Sequence, residues 1–164
     1  MHSSSRSSGW RLARWMAYLI CLSGWAGSAT AGPLVWIEAE DYAATNFAHF
    51  QKSSMGKAAL LSGGQWLMRG VTPEEVASLV PDEGVKLAYD FQAEQGGRYS
   101  LWVRVGWFNA RADCRVRIDG GDWLDLPGHY PTRNLMELGH FTEASWANLG
   151  PVQVRPGAGK LDVW

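Results

Sequence analysis

The chain has 164 residues, and a hydrophobic fraction of 46% is enough for a folded domain with its own core. Its 15 basic and 16 acidic side chains nearly cancel, and no basic stripe runs along the sequence. We therefore predict that the protein has no nucleic-acid partner.

The first 31 residues have the three-part pattern of a secretory signal peptide. Three arginines form a basic start, an apolar stretch too short to span a bilayer follows, and Ala29-Thr30-Ala31 fits a small-x-small cleavage site. A signal anchor that is never cut is the alternative. We expect a secreted or periplasmic protein with no membrane segment after cleavage and one domain over residues 32–164.

Removal of the leader takes away three Arg and no acid, so 12 basic and 16 acidic side chains remain, a net charge of −4. Only Cys114 remains of the two cysteines, so no internal disulfide can form in the oxidising compartment. Its place in a strand-like run predicts a buried small side chain and not a nucleophile.

The first strand-like run, 35–42, contains two carboxylates. Glu38 and Glu40 are two positions apart, so on a strand both would project from the same face. Two like charges so placed favour a shared cation. A solvated edge strand explains them equally well, and the spacing alone leaves both interpretations open.

Residues 73–80 are the one helical candidate. Thr72 can cap the helix, Pro73 suits its first position, and Pro81 ends it. We expect two turns at most.

The middle of the chain has the clearest strand pattern. Residues 85–92 and 99–105 alternate apolar and polar side chains on either side of a Gly-Gly turn, which predicts two strands that pair as neighbours. A third run, 114–119, reaches a turn at Gly120-Gly121 that leads into a further strand.

The last third is predicted to be poorer in regular structure. Residues 127–150 are loop-rich, and 152–154 with 161–163 predict a hairpin. The alternation over 160–164 stops in mid-run, so we expect the last strand or strands of the sheet to be missing. Short strands with turn signals about ten residues apart predict an all-β, antiparallel β-sandwich of the jelly-roll kind.

Several short motifs occur in order across residues 35–164. They are Glu-Ala-Glu-Asp at 38–41, Ser-Gly-Gly at 62–64, Gly-Gly-Arg-Tyr-Ser-Leu-Trp-Val-Arg-Val at 96–105, Arg-Val-Arg-Ile-Asp-Gly at 115–120, Trp146, and Pro-Gly-Ala-Gly-Lys-Leu at 156–161. Together they resemble the carbohydrate-binding modules of families 6, 35 and 36, which are galactose-binding-like jelly rolls attached to secreted glycoside hydrolases and lyases.

The resemblance implies a structural calcium ion bound by Glu38 and Glu40, with main-chain carbonyls and an Asp that would lie beyond Trp164. Asp162 lies inside the preceding strand and is a poor substitute. The resemblance also implies that the ligand is a polysaccharide or oligosaccharide. It further implies that the domain is a monomeric module of a larger polypeptide, whose remaining part would contain a catalytic or anchoring domain.

Sugar binding in such modules relies on loop aromatics that stack on pyranose rings. Four residues in predicted loops are the candidate contacts: Trp107, Asn109, Tyr130 and Trp146. Three further tryptophans lie in predicted strands, and we expect them to pack within the domain and not to contact a ligand: Trp36, Trp66 and Trp102.

An enzyme is the less favoured prediction. Glycoside hydrolases place two carboxyl groups on separate elements that flank a cleft, not at neighbouring positions of a first strand. The sequence also has no catalytic motif of the serine-hydrolase, zinc-protease or phosphate-loop kind. A structural or adhesive sandwich without sugar binding is the alternative to the carbohydrate-binding prediction.

Overall fold

The structure is a computed structural model that describes residues 33–106, 112–139 and 142–164. The signal peptide predicted over residues 1–31 lies outside the described residues. The described chain is an all-β sandwich with one short helix, which confirms the predicted fold class.

The strands are, in chain order, β1 Ala44–Thr45, β2 Gln51–Ser53, β3 Trp66–Met68, β4 Leu87–Ala93, β5 Gly97–Gly106, β6 Cys114–Ile118, β7 Leu124–Leu126, β8 Thr132–Gly139, β9 Thr142–Val154 and β10 Gly157–Val163. The helix, α1, spans Pro73–Leu79, and two single 3₁₀ turns span Ala58–Leu60 and Ser62–Gly64. One sheet has the order β1-β4-β10-β6-β7, a second has the order β5-β9-β8, and β2 pairs with β3. All these pairs are antiparallel.

The predicted pairing of the two middle strands is wrong. β4 pairs with β1 and β10, whereas β5 pairs with β9 in the other sheet. Each strand has one apolar face, and the two faces meet across the sandwich, where Phe91 and Tyr99 belong to one hydrophobic cluster. The Gly-Gly turn therefore carries the chain from one sheet to the other.

The predicted last hairpin is wrong for the same reason. β9 belongs to the three-stranded sheet, and β10 lies between β4 and β6 in the five-stranded sheet. The Phe91 ring lies so close to the main chain of β10 that a Cβ at position 159 would overlap it, which explains the glycine there.

The loop-rich prediction for 127–150 is also wrong, since β8 and most of β9 lie there. The glycines that suggested loops occur at or beside bulges: Gly139 and Gly150 have φ of 84° and 90°. In β9, Leu149 is an extra residue, because Leu101 pairs with Gly150 and Trp102 with Asn148.

The predicted first strand does not form. Residues 33–38 have no strand assignment, and the amide of Asp41 donates to the carbonyl of Glu38 at 3.1 Å, which closes a turn. Val35 and Ile37 pack against the hydrophobic cluster. Glu38 and Glu40 therefore lie within a turn and do not share one face of a strand.

Two local predictions are confirmed. Helix α1 has a capping box, in which the Thr72 hydroxyl accepts from the Glu75 amide and the Glu75 carboxylate accepts from the Thr72 amide at 2.9 Å. β6 and β7 form a hairpin with the predicted turn after β6, but the turn is centred on Asp119 (φ 49°) and Gly120 (φ 71°), one residue before the predicted Gly120-Gly121. Asp-Gly is the preferred pair for two consecutive left-handed positions.

Candidate functional site

A cavity of about 260 Å³ lies between residues 35–40 and both main sheets, since strands β4, β5, β6, β9 and β10 all contribute to its lining. Four tryptophans line it: Trp36, Trp66, Trp102 and Trp146. The polar side chains in its lining include Glu38, Glu40, Ser62, Gln65, Tyr89 and Arg104. A second, largely apolar cavity of about 390 Å³ shares Trp36, Trp102 and Trp146. Aromatic walls with a few polar groups are typical of small-molecule sites.

Trp146 is held between two neighbours. It pairs with Arg104 across β5 and β9, and the Arg104 guanidinium carbon is 5.8 Å from its ring centroid. The Trp36 ring meets it edge-on, with centroids 5.9 Å apart and planes at 66°. A cation beside the ring and an edge-on aromatic contact both stabilise this position.

Trp36 and Trp102 are more open. Trp36 is 53% exposed and Trp102 is 41% exposed, which is unusual for such large apolar side chains. Trp102 and Arg104 are two positions apart on β5, so they project from the same face. The cavity wall therefore has two accessible indoles next to a guanidinium.

Trp66, by contrast, is half-buried and packs against β5. A Cβ at Gly106 would lie 2.6 Å from its ring, so only glycine allows this close approach. Its predicted packing role agrees with this position.

The Glu38 carboxylate joins three parts of the site. Its Oε1 accepts a hydrogen bond from the Trp36 indole N–H at 2.8 Å, and its Oε2 accepts from the Ser62 hydroxyl at 3.0 Å. Arg104 donates to the carbonyl of Leu60 at 3.2 Å. The loop with the two 3₁₀ turns is thus tied to the cavity by side chains from both walls.

The neighbouring carboxyl has a different environment. Burial raises the pKa of Glu40, and the charges of Glu38 and Asp41 raise it further, although a main-chain hydrogen bond opposes them. The Tyr89 hydroxyl donates a hydrogen bond at 3.1 Å to the carbonyl of Ala39, the residue before Glu40. Burial, with the nearby Glu40 charge, raises the pKa of Tyr89 to about 12.

Glu38 and Glu40 supply oxygens of the kind that calcium prefers, but calcium needs six to eight of them. No three Asp, Glu, His or Cys side chains of the described residues come together as a metal-binding group. The remaining ligands of an ion here would have to be main-chain carbonyls or water. Calcium stays a prediction from the resemblance.

The four predicted ligand contacts have different outcomes. Trp107 and Asn109 lie outside the described residues. Trp146 lines both cavities, but from strand β9 and not from a loop. Tyr130 lines neither cavity; its hydroxyl donates to the carbonyl of Asn148 at 2.8 Å, and Asn148 pairs with Trp102.

The sequence reasoning missed Trp36, Trp102 and Arg104 as cavity residues. A signal was present for Trp102, because it alternates in phase with Ser100 and Arg104, on the polar face of its strand. A large aromatic residue on a polar strand face is a candidate for ligand contact. Trp36 gave no such signal, since its segment reads as an apolar strand.

A second set of tryptophans lies on the five-stranded sheet, and we call it the arginine–tryptophan ladder: Trp164, Arg115, Trp123, Arg117 and Asp162. The Arg115 guanidinium carbon is 3.5 Å from the Trp164 ring centroid and 5.5 Å from that of Trp123. The Arg117 guanidinium lies 4.4 Å from the Trp123 centroid and donates to Asp162 at 2.7 Å.

The histidines and Cys114 do not add a second candidate site among the described residues. The side chains of His49 and His129 are exposed, and His140 lies outside the described residues. Cys114 is half-buried, and burial raises the pKa of its thiol, which opposes a role as a nucleophile.

The fold and the site define a β-sandwich domain with an open, tryptophan-walled cavity. Within the described residues, no helix has the length and apolar character needed to cross a membrane. No protein-family model matches the chain, and no curated protein matches it.

A search of solved structures finds similarity to the crystal structure of a Podospora anserina GH26-CBM35 beta-(1,4)-mannanase. The TM-score is 0.49 and the sequence identity is 14%, over 80% of this chain. The match spans 24% of the mannanase chain. A likeness at this level assigns neither an activity nor a ligand to this protein.

Proposed function

We propose that this protein is a non-catalytic carbohydrate-binding domain whose ligand contacts the open indoles of Trp36 and Trp102. The observation that carries the proposal is their exposure in the lining of one cavity that also includes Arg104 and Glu38. Sugar rings present apolar C–H faces that stack on indoles and hydroxyls that hydrogen-bond charged groups. A cavity with both features matches that chemistry.

The absence of a catalytic step is part of the proposal. Glu38 and Glu40 belong to one turn, whereas hydrolysis of a glycosidic bond needs two carboxyl groups that face each other across the bond. Glu38 is also engaged through both oxygens by Trp36 and Ser62. Binding without turnover is therefore the function that this geometry favours.

The wider proposal follows the sequence predictions. The ligand is a polysaccharide or oligosaccharide, and the domain acts as a secreted, monomeric module of a larger polypeptide. Trp107, Asn109 and Tyr130 remain proposed loop contacts beside Trp146. A structural or adhesive sandwich without sugar binding is the competing function.

The test is calorimetry and affinity electrophoresis of the protein against soluble xylan, glucan, pectin and β-1,4-mannan. We expect binding to at least one polymer, and Trp102→Ala to weaken it about tenfold, because stacking of one aromatic side chain contributes about 1–3 kcal/mol. Trp123→Ala is the matched control, since it removes an indole that arginines cover on the other sheet.

The proposal fails if no glycan of a broad array binds the wild-type protein, or if Trp102→Ala and Trp123→Ala change affinity equally. Turnover of a polymer that is lost in Glu40→Gln would instead support an enzyme. Circular dichroism of each variant separates loss of binding from loss of fold.

A structural calcium ion at Glu38 and Glu40 is the second part of the proposal. Two carboxylates within one turn, one of them partly buried, are a favourable start for a cation site. We expect calcium to raise the melting temperature over that in EDTA, and Glu40→Gln to remove this rise. Equal melting temperatures in calcium and in EDTA for the wild-type protein would contradict it.

A further inference from the structure

We infer that Glu38 is a positioning residue, which holds the Trp36 indole in a fixed orientation for ligand stacking. This inference rests on the proposed sugar-binding function of the cavity. It assigns to Glu38 a role that needs no metal ion, because its contacts are to two protein donors.

The first contact is the hydrogen bond from the Trp36 indole N–H to Glu38 Oε1, at 2.8 Å. This distance is typical of a charge-assisted bond, which is stronger than a bond between neutral groups. Trp36 is 53% exposed, so packing alone leaves much of its ring without a neighbour. The carboxylate and the edge contact with Trp146 together set the direction of the ring.

The second contact holds the carboxylate itself. Ser62 donates to Glu38 Oε2 at 3.0 Å, so both oxygens have a protein donor. Ser62 opens a 3₁₀ turn, and the preceding turn is anchored by Arg104, which donates to Leu60. A chain of hydrogen-bonded contacts therefore connects Arg104 on β5, through the loop that contains Leu60 and Ser62, to Glu38 and Trp36.

A fixed ring matters for affinity. An indole that is free to change rotamer loses that freedom when a ligand binds, and this loss weakens binding. Side chains locked by supporting hydrogen bonds avoid most of it. Glu38 thus prepares Trp36 before the ligand arrives.

Calcium ligation is the other role proposed for Glu38. The two roles are compatible, since an ionised carboxylate has about four lone-pair sites, but they differ in what they require. A positioning acceptor needs only an oxygen at the place of Oε1, which the amide of Gln also provides. A calcium ligand needs the negative charge. Measurements in EDTA remove any contribution from an ion.

The experiment compares wild type, Glu38→Ala and Glu38→Gln in EDTA, with Glu94→Ala as the control for loss of an exposed carboxylate that lines neither cavity. One readout is the dissociation constant for the best-binding polysaccharide of the panel. The other is the Trp36 indole N–H resonance in ¹H–¹⁵N spectra, assigned with Trp36→Phe, and its exchange rate with water.

We expect Glu38→Ala to weaken binding about five- to tenfold, because the freed indole must then be ordered on binding, at a cost of about 0.5–1.5 kcal/mol. Its Trp36 resonance should shift upfield and exchange faster. Glu38→Gln should stay within about twofold of wild type, and Ser62→Ala should fall between them. If Glu38→Ala does not fold, Glu38→Gln and Ser62→Ala carry the test.

An unchanged Trp36 resonance in Glu38→Ala would overturn the inference, as would equal loss of affinity in Glu38→Ala and Glu38→Gln. If no polysaccharide binds the wild type, the proposed function fails, yet the resonance still decides whether Glu38 holds Trp36. The two failures are therefore distinguishable.

Discussion

The cavity and the arginine–tryptophan ladder use the same residue types in opposite ways. In the ladder, Arg115 lies 3.5 Å from the Trp164 ring centroid, so a guanidinium covers the face that a ligand would need. In the cavity, Trp36 and Trp102 keep open faces while Trp146 has Arg104 beside it. Trp164 is itself 37% exposed, against 41% for Trp102, so the two regions differ in whether a cation lies over the ring face, and not in exposed area or in the presence of Trp and Arg.

The ladder is also tied into the main chain. The amide of Arg115 donates to the carbonyl of Trp164 at 2.7 Å, and the reverse bond is 2.9 Å. The Trp164 indole N–H donates to the carbonyl of Glu83 at 2.6 Å. Such contacts stabilise the fold, so changes in the ladder should affect unfolding and leave ligand affinity alone.

The largest expected effect on this comparison comes from Gly84→Ala. Gly84 has φ 83°, and a Cβ there would lie 2.6 Å from the Trp164 indole nitrogen. Left-handed strain and overpacking together should lower the free energy of unfolding by about 2–4 kcal/mol. Urea denaturation measures this loss, while the affinity of the folded protein should not change.

Gly63→Ala is its matched control. Gly63 has φ 65°, but a Cβ there meets no atom within 4 Å. It should therefore show the backbone strain alone, about 1–2 kcal/mol. Equal losses in the two variants would show that contact with Trp164 adds nothing.

The next effect is that of Arg115→Ala, which removes the guanidinium shared by Trp164 and Trp123. We expect a loss of about 1–2 kcal/mol in the free energy of unfolding, because this cation contacts two indoles. Arg104→Ala should instead weaken sugar affinity. Chemical denaturation and calorimetry on both variants would test this split; a fall in affinity for Arg115→Ala would contradict it.

The smallest effect concerns Tyr89, at the cavity floor. Its pKa is raised to about 12 from 10.0, so its contribution to stability is present below pH 10 and is lost as the pH rises through 12. Tyr89→Phe should abolish this part of the alkaline decline. At neutral pH it should cost about 0.5–1.5 kcal/mol, through the lost bond to Ala39.

Denaturant unfolding of wild type and Tyr89→Phe at several pH values from 9 to 12 makes this measurement. Parallel declines in the two proteins would show that Tyr89 does not titrate as its burial implies. Tyr99→Phe, which loses a hydroxyl bond to the carbonyl of Gln95 at the surface, is a control for the neutral-pH effect.

Features set by neighbouring residues could be predicted from the sequence. The helix cap at Thr72 and the turn after β6 each depend on a few adjacent side chains, although the turn lies at Asp119-Gly120, one residue before the predicted position. Which strands pair depends on contacts far apart in the chain, so alternation in β4 and β5 located both strands but not their sheets. Glycines at bulges also look like glycines in loops, which concealed β8 and β9.

In the candidate site, too, the sequence predicted some residues, while others depend on contacts that only the folded chain shows. Trp146 was predicted as an aromatic contact, although from a loop that proved to be a strand. The openness of Trp36 could not be predicted, because it follows from a segment that lies beside the sheets without joining them. The contacts of Glu38 with Ser62, 24 positions away, also required the folded chain.

The extra residue in β9 has a consequence for chain length. Leu149 has no partner of its own in β5, while the pairs on either side of it are intact. A chain shorter by this one residue would keep every partnership between these two strands, with Trp146 still opposite Arg104. An alignment of relatives should accordingly tolerate a single-residue gap at this point and not at its neighbours within the strand.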